Sequence, residues 1–166
     1  MPDPLPRLIT PSDAAAAWRL VEATPELDHN SFYLYHLLAS RFADTCAVVD
    51  APAGLAGLAT GFRRPDRPDT LFVWQVATAA EHRGRGIARR LVGFLAGLPG
   101  IEAVEATIAP GNLASQAVFR SVAAARGWAL TSEPYLSGAD VPSEAGPHED
   151  ELLFTLSGLT LSGRPG

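Results

Sequence analysis

The segment FVWQVATAAEHRGRGIA, residues 72–88, runs from an apolar stretch into a basic, glycine-rich loop. Its first half is rich in β-branched and aromatic residues, which is typical of a buried strand. Gly84 and Gly86 then interrupt the chain, and apolar residues at helical spacing follow from Ile87 to Leu98. A helix N-terminus offers unpaired N–H groups that attract anions. The segment therefore predicts a strand–helix unit of an α/β fold whose turn is a candidate anion site.

Strands and helices alternate on both sides of this unit. Strands are predicted at residues 7–10, 45–50, 55–62, 70–78, 101–109, 128–133 and 149–158, and helices at 13–24, 31–42, 87–98 and 113–126. The second helix has a predicted apolar face of Leu34, Leu37, Leu38 and Phe42. Residues 63–69 and 134–147 are rich in proline and are predicted as loops.

The order of these elements predicts the type of sheet. The strand–helix–strand unit over residues 70–109 requires a parallel pair with a right-handed crossover. The hairpin before it, at residues 45–62, is antiparallel because its connection is short. We therefore expect an α/β fold with a mixed, mostly antiparallel sheet, a central parallel pair and helices on both faces. One domain is expected over residues 1–157, with residues 158–166 as a flexible tail.

Composition and charge argue against several classes of protein. The chain has 166 residues, a net charge of −5 and no long basic run, which argues against nucleic acid as a partner. No apolar segment approaches the ~20 residues that span a bilayer, and the N-terminus lacks a signal pattern. The single cysteine, Cys46, cannot form an intramolecular disulfide, so a reducing cytoplasm is expected. A chain of this length needs no metal to fold, and none is predicted.

Spacing alone leaves two interpretations of the basic loop open. Arg83 and Arg85 can add charge-assisted bonds to a phosphate beside the helix N-terminus. The pattern does not fit a dinucleotide fingerprint, because Arg89 stands where a third glycine or alanine belongs, and it lacks the ending of a P-loop. The alternative is a solvated turn whose arginines face water.

The loop RGRGIA (83–88) resembles the R/Q-x-x-G-x-G/A loop of the GCN5-related N-acetyltransferases, with Arg83, Gly86 and Ala88 at the matching positions. The order of strands and helices is also similar to that of this family along nearly the whole chain. The resemblance implies acetyl-CoA as co-substrate, with its pyrophosphate on the loop. It also implies that the backbone around Gln75 holds the pantetheine arm, that a backbone N–H there polarises the thioester, and that Asn112 bonds the arm. The implied cofactor-binding set is Gln75, Val76, Ala77, Arg83, Gly84, Arg85, Gly86, Ile87, Ala88, Asn112, Ser115 and Phe119.

Five stretches together resemble one branch of that family, the L-2,4-diaminobutyrate acetyltransferases of ectoine biosynthesis. They are LDHNSFY (27–33), FADTC (42–46), RPDTLFVWQVA (67–77), RGRG (83–86) and HEDELLF (148–154). The resemblance implies transfer of acetyl to the 4-amino group of diaminobutyrate, and a homodimer. The matching acceptor-binding residues are Asp28, Tyr33, Trp74, His148 and Glu151.

These residue types suit a cationic acceptor. Asp28 and Glu151 can pair with ammonium groups, and Trp74 can offer its ring face to a cation. Tyr33 and His148 can bond an amine or a carboxylate. Because attack requires a neutral amine, Asp28, Glu151, His148 or a relayed water is expected to take its proton.

Two positions depart from the family pattern. Phe119 stands where many members have a tyrosine that protonates the leaving thiolate, and the strand before the loop lacks the glutamate base of some members. We expect direct transfer in a ternary complex, since nothing in its own segment activates Cys46 as a nucleophile. Two alternatives stay open: an acetyltransferase for another small amine, such as a polyamine or an antibiotic, and a non-catalytic acetyl-CoA-binding module.

Overall fold

The computed structural model describes residues 4–158 and contains one mixed sheet of seven strands. The elements follow the predicted order. They are β1 (Arg7–Leu8), α1 (Ala14–Glu22), α2 (Phe32–Arg41), β2 (Ala47–Ala51), β3 (Gly54–Arg64), β4 (Arg67–Thr78), α3 (Ile87–Ala96), β5 (Ala103–Ile108), α4 (Leu113–Arg126), β6 (Ala129–Leu136) and β7 (Glu151–Ser157). The strands lie in the order β1-β2-β3-β4-β5-β7-β6, with β4 and β5 parallel and all other neighbours antiparallel. The predicted fold class is confirmed, and the predicted tail lies outside the described residues except for Gly158.

Helices pack on both faces of this sheet. On one face, α3 and α4 bury a large apolar cluster that includes Leu91, Leu95 and Phe119 together with residues of five strands. On the other face, α1 and α2 bury a second cluster over β2, β3 and the end of β4. Among the described residues, that second cluster contains none from β5, β6 or β7. The sheet is therefore left open over β5–β7 on the α1/α2 side.

Gly57 of β3 sets how closely α3 approaches the sheet. A Cβ atom at this position would lie 2.5 Å from Ile87 Cγ2 and 2.9 Å from Leu91 Cδ1, which is closer than real side chains pack. The missing side chain lets the first turn of α3 lie directly on β3. This contact holds the N-terminus of α3 just beyond the end of β4.

A bulge and a short pairing shape the centre of the sheet. Val73 and Gln75 pair with Gly61 and Thr60, so Trp74 lies at a shift in the register of β4 against β3. On its other side, β4 pairs with β5 over three residue pairs, Thr70–Phe72 with Ala103–Glu105. Within the described residues, the two strands continue past Phe72 without further pairing. A gap therefore opens between them.

Three sequence-based predictions of detail were wrong. Residues 63–69, predicted as a loop, extend the β3–β4 hairpin around a turn at Pro65 and Asp66. Pro68 is tolerated there because it lies near the start of β4. The buried face of α2 is Tyr35, Leu38 and Ala39, and Phe42 is exposed. β6 runs on to Leu136, which shortens the loop predicted from residue 134.

No helix of residues 4–158 is long and apolar enough to cross a membrane.

Candidate active site

The gap between β4 and β5 leads to the glycine-rich loop. Gly84 and Gly86 have φ values of 77° and 72°, a left-handed conformation that favours glycine. Gly86 is the N-cap of α3, and it has no side chain to occupy the N–H groups of the first turn. Arg85 is exposed, and Arg83 pairs with Glu26 at 3.4 Å. The loop thus presents helix N–H groups and an exposed guanidinium at the end of β4.

The backbone of Gln75 faces β3 across the bulge. Its N–H donates to Thr60 Oγ1 at 3.2 Å, and the Thr60 hydroxyl lies 3.5 Å from the Gln75 carbonyl oxygen. Both polar backbone groups of Gln75 therefore have a partner within the chain. A contact of this backbone with a cofactor arm remains a prediction. A contact of the Val76 and Ala77 backbone with the cofactor arm likewise remains a prediction.

The start of α4 lies beyond the end of β5, the strand on the other side of the gap. Asn112 is the N-cap of α4, where its Oδ1 accepts a hydrogen bond from the Ser115 N–H at 3.1 Å. Its side-chain amide keeps donors for another partner. Phe119 is 3% exposed and belongs to the α3/α4 cluster. Ile87 is also buried there, whereas Ala88 is half-buried in the first turn of α3.

Trp74 and Glu151 project from the same face of the sheet. Leu71 and Val73 belong to the α3/α4 cluster, so alternation sends Trp74 to the opposite face, where its side chain is 41% exposed. Phe154 likewise belongs to that cluster, which places Glu151 on the same face as Trp74. Because β7 is antiparallel to β5, its first residue lies at the end of the sheet where β4 finishes. The topology thus brings both residues to one end of the open face.

Glu151 has a buried carboxylate oxygen. Its Oε2 is shielded from solvent and has no hydrogen-bond partner among the described residues. A buried acceptor without a partner is costly, because it has lost water and gained no hydrogen bond. The oxygen therefore keeps an unused capacity to accept a hydrogen bond from a donor that reaches it.

The segment before β7 is held by the loop that follows β6. Asp150 Oδ1 accepts hydrogen bonds from the Gly138 N–H at 2.8 Å and from Ser137 Oγ at 3.4 Å. A Cβ atom at Gly138 would collide with the His148 carbonyl oxygen, so the backbones of these two loop segments are in direct contact. His148 is exposed, and its Nδ1 lies 2.6 Å from the Glu149 carbonyl oxygen. This packing fixes the backbone of residues 148–150 just before β7, and a role of His148 in the site stays a prediction.

Asp28 and Tyr33 lie on the α1/α2 side of the sheet. Both side chains are exposed, in the loop after α1 and in the first turn of α2. The Asp28 carbonyl oxygen accepts a hydrogen bond from Gln75 Nε2 at 2.9 Å, which ties this loop to β4 beside Trp74. Sequence analysis missed this link and its buried partner Tyr35. The available signal was that Tyr35 shares the helical face of Leu38 and Ala39.

Cys46 lies outside this arrangement, in the α1/α2 cluster. It is 0% exposed, and burial raises the pKa of its thiol to about 11. A thiol in this state is a poor nucleophile at neutral pH. Among residues 4–158, no group of three or more histidine, cysteine, aspartate or glutamate side chains is arranged to hold a metal ion.

Replacing Cys46 with alanine is expected to leave kcat within about twofold of wild type, because a buried thiol with a raised pKa is a poor nucleophile. The thermal midpoint is expected to fall slightly, since a buried side chain becomes smaller. Steady-state kinetics and a melting curve measure the two effects. Loss of all turnover in a folded C46A variant would instead indicate an acyl-cysteine intermediate.

Comparison with known proteins identifies the family. The model of the acetyltransferase (GNAT) family matches residues 13–123. The L-2,4-diaminobutyric acid acetyltransferase of Streptomyces coelicolor is 45% identical over 157 residues, covering 92% of this chain and 91% of that protein. That of Streptomyces avermitilis is 40% identical over 154 residues, with 90% and 85% covered. The structure of diaminobutyrate acetyltransferase EctA from Paenibacillus lautus, in complex with its substrate L-2,4-diaminobutyric acid and coenzyme A, superposes with a TM-score of 0.86 at 35% identity, covering 92% of this chain and 93% of that one.

Proposed function

The chain belongs to the acetyltransferase (GNAT) family, and on that premise we propose that it transfers acetyl from acetyl-CoA to the 4-amino group of L-2,4-diaminobutyrate, a step in ectoine biosynthesis. One observation carries the acceptor side of this proposal. The Oε2 atom of Glu151, buried and without a partner within residues 4–158, lies on the same sheet face as the half-exposed ring of Trp74. A carboxylate and an aromatic face together suit an ammonium group.

Acetyl-CoA is the donor, and the gap between β4 and β5 suits its pantetheine arm. The pyrophosphate fits the glycine-rich loop, where the N–H groups of α3 and the Arg85 guanidinium offer donors. Successive N–H groups of a strand point to opposite edges of the strand. Because the N–H of Gln75 points to Thr60 on β3, the N–H of Val76 points to the gap on the β5 side. A backbone donor directed at the thioester oxygen is worth about 3–4 kcal/mol in such reactions.

The acceptor has two amines and one carboxylate, and the site offers both charges. Asp28 and Glu151 bind ammonium groups, and Trp74 lies against one of them. Tyr33 and His148 donate to the carboxylate or accept from an amine. The register of β4, β5 and β7 and the hydrogen bond from Gln75 to the Asp28 carbonyl support this grouping.

The chemical step starts from a neutral amine. With an ordinary pKa near 10.4, freeing the amine at pH 7 costs about 4–5 kcal/mol unless a base takes the proton during attack. Asp28, Glu151 or His148 takes that proton, directly or through water. The nitrogen forms a bond to the thioester carbon, the C–S bond breaks, and the thiolate of coenzyme A leaves.

The leaving thiolate does not require a tyrosine. Phe119 has no hydroxyl, and it is buried in the α3/α4 cluster. A thiol has an ordinary pKa of about 8.5, so the thiolate is a tolerable leaving group that water can protonate. Transfer takes place directly between the two bound substrates, consistent with the buried, high-pKa Cys46.

A thiol-release assay with acetyl-CoA and a panel of amines tests the proposal. Turnover is expected with L-2,4-diaminobutyrate, and NMR of the product is expected to place the acetyl group on N4. Turnover of spermidine or an aminoglycoside instead of diaminobutyrate would favour another small-amine substrate. Tight acetyl-CoA binding without turnover of any amine would favour a non-catalytic binding module.

A homodimer in the cytoplasm is also part of this proposal. Phe62 of β3 is 37% exposed, and its ring stacks on that of Phe72 of β4 with 5.3 Å between the centroids. This exposed aromatic pair supports an apolar contact with a second copy of the chain. The single reduced cysteine suits the cytoplasm. Light scattering is expected to give twice the chain mass of 17.5 kDa.

A further inference from the structure

The side chain of Gln75 connects three separate elements beneath the acceptor site. Tyr35 OH donates to Gln75 Oε1 at 3.0 Å, and Gln75 Nε2 donates to the Asp28 carbonyl oxygen at 2.9 Å. Tyr35 is 1% exposed and Gln75 is 5% exposed, so water does not compete for these bonds. These two hydrogen bonds thus join α2, β4 and the loop after α1.

The partners determine the orientation of the amide. The Asp28 carbonyl can only accept a hydrogen bond, so the NH₂ group of Gln75 must face it. The amide oxygen then faces Tyr35, whose hydroxyl acts as the donor. Each group has the partner that its chemistry requires, and an apolar side chain at position 75 would leave both Tyr35 OH and the Asp28 carbonyl without this bond.

Gln75 also holds the opposite wall of the site. Its backbone N–H is bonded to Thr60 Oγ1 at 3.2 Å, directly after the bulge at Trp74. One residue therefore anchors the strand beside Trp74 through its backbone and the loop of Asp28 through its side chain. The Asp28 carbonyl has a second donor, Asn30 Nδ2 at 3.1 Å, within the same loop.

We propose that Gln75 is a positioning residue for the acceptor, whose side-chain amide, oriented by Tyr35, holds Asp28 in place relative to Trp74 before the substrate binds. This rests on the proposed function, since it assumes that Asp28 and Trp74 contact the acceptor amine. The Asp28 side chain remains exposed and free for the substrate, while its backbone carbonyl is held. Preset geometry of this kind lowers the entropic cost of binding.

Replacing Gln75 with methionine, which has a similar volume, tests the role. The KM for diaminobutyrate is expected to rise about tenfold or more, and the KM for acetyl-CoA is expected to stay within about twofold. Y35F removes one oxygen and leaves the bond to Asp28 in place, so a smaller shift in the same direction is expected. In the Y35F/Q75M double variant, the Y35F effect is expected to vanish, because the two groups act through one chain of bonds.

Gln116 offers a matched control. It is 8% exposed, and its Nε2 donates to the Pro110 carbonyl at 2.9 Å, so Q116M removes a similarly buried amide from a different loop. The KM for diaminobutyrate is expected to stay within about twofold in this variant.

Two results would overturn the role of Gln75. One is an equal rise of both KM values in Q75M, and the other is a lower melting temperature with both KM values unchanged. If Q75M does not fold, Y35F alone decides by the same split between the two substrates. Failure of the proposed function is separate, because it appears as absent diaminobutyrate turnover in the wild type; the split is then measured with the amine that the wild type does acetylate.

Discussion

Replacing Trp74 with alanine is expected to lower kcat/KM for diaminobutyrate by about 100-fold or more. The indole is 41% exposed on the open sheet face, although its neighbours Val73 and Gln75 are 2% and 5% exposed. A half-exposed tryptophan between two buried residues has a surface free for a ligand. Removing it takes away both the ring face for the ammonium group and the apolar contact for the acceptor's carbon chain.

The same variant is expected to bind acetyl-CoA within about twofold of the wild-type affinity. The glycine-rich loop and the gap between β4 and β5 are formed by backbone groups, which do not require the indole. Steady-state kinetics give the first quantity and calorimetric titration of acetyl-CoA gives the second.

W74F serves as the matched control. It keeps an aromatic face at the same position, so the loss of kcat/KM is expected to stay below about tenfold. Equal losses of acceptor turnover and acetyl-CoA affinity in W74A would show that Trp74 has a structural role and does not bind the acceptor.

Local patterns in the sequence account for most of the fold. The element order is predictable because each strand and helix has its own periodicity, and because Gly127 and the Pro99–Gly100 pair mark helix ends. The β3–β4 hairpin was misassigned in part because two prolines in residues 63–69 suggested a loop. Proline breaks an internal ladder, but the end of a hairpin places few demands on its missing N–H.

The candidate site was less predictable, because it depends on contacts between distant residues. Tyr35 and Gln75 are 40 positions apart, and the buried face of α2 could not be centred on Tyr35 without knowing what it touches. The bulge at Trp74 depends on the register between β3 and β4, which no local pattern specifies. The resemblance to the family indicates Asp28, Trp74 and Glu151, and the sheet topology gives a physical reason why Trp74 and Glu151 lie at one end of the same face.

Replacing Glu151 with glutamine is expected to affect stability and activity in opposite directions. Without substrate, its Oε2 is a shielded oxygen with no partner among the described residues, and an unsatisfied buried acceptor costs stability. A neutral amide carries a smaller desolvation penalty, so the melting temperature of the free E151Q protein is expected to stay the same or rise. Natural sites that bind charged substrates often carry this kind of strain.

Activity is expected to fall, because the substrate's ammonium group loses its charged partner. Breaking a buried charge pair costs about 2–5 kcal/mol, which corresponds to a loss of roughly 30-fold or more in kcat/KM for diaminobutyrate. E149Q is the matched control: it makes the same change in charge two residues away, on an exposed side chain, and is expected to leave both quantities unchanged. If E151Q lost stability and kept its activity, Glu151 would be a structural residue and the ammonium site would have to lie elsewhere on the open face.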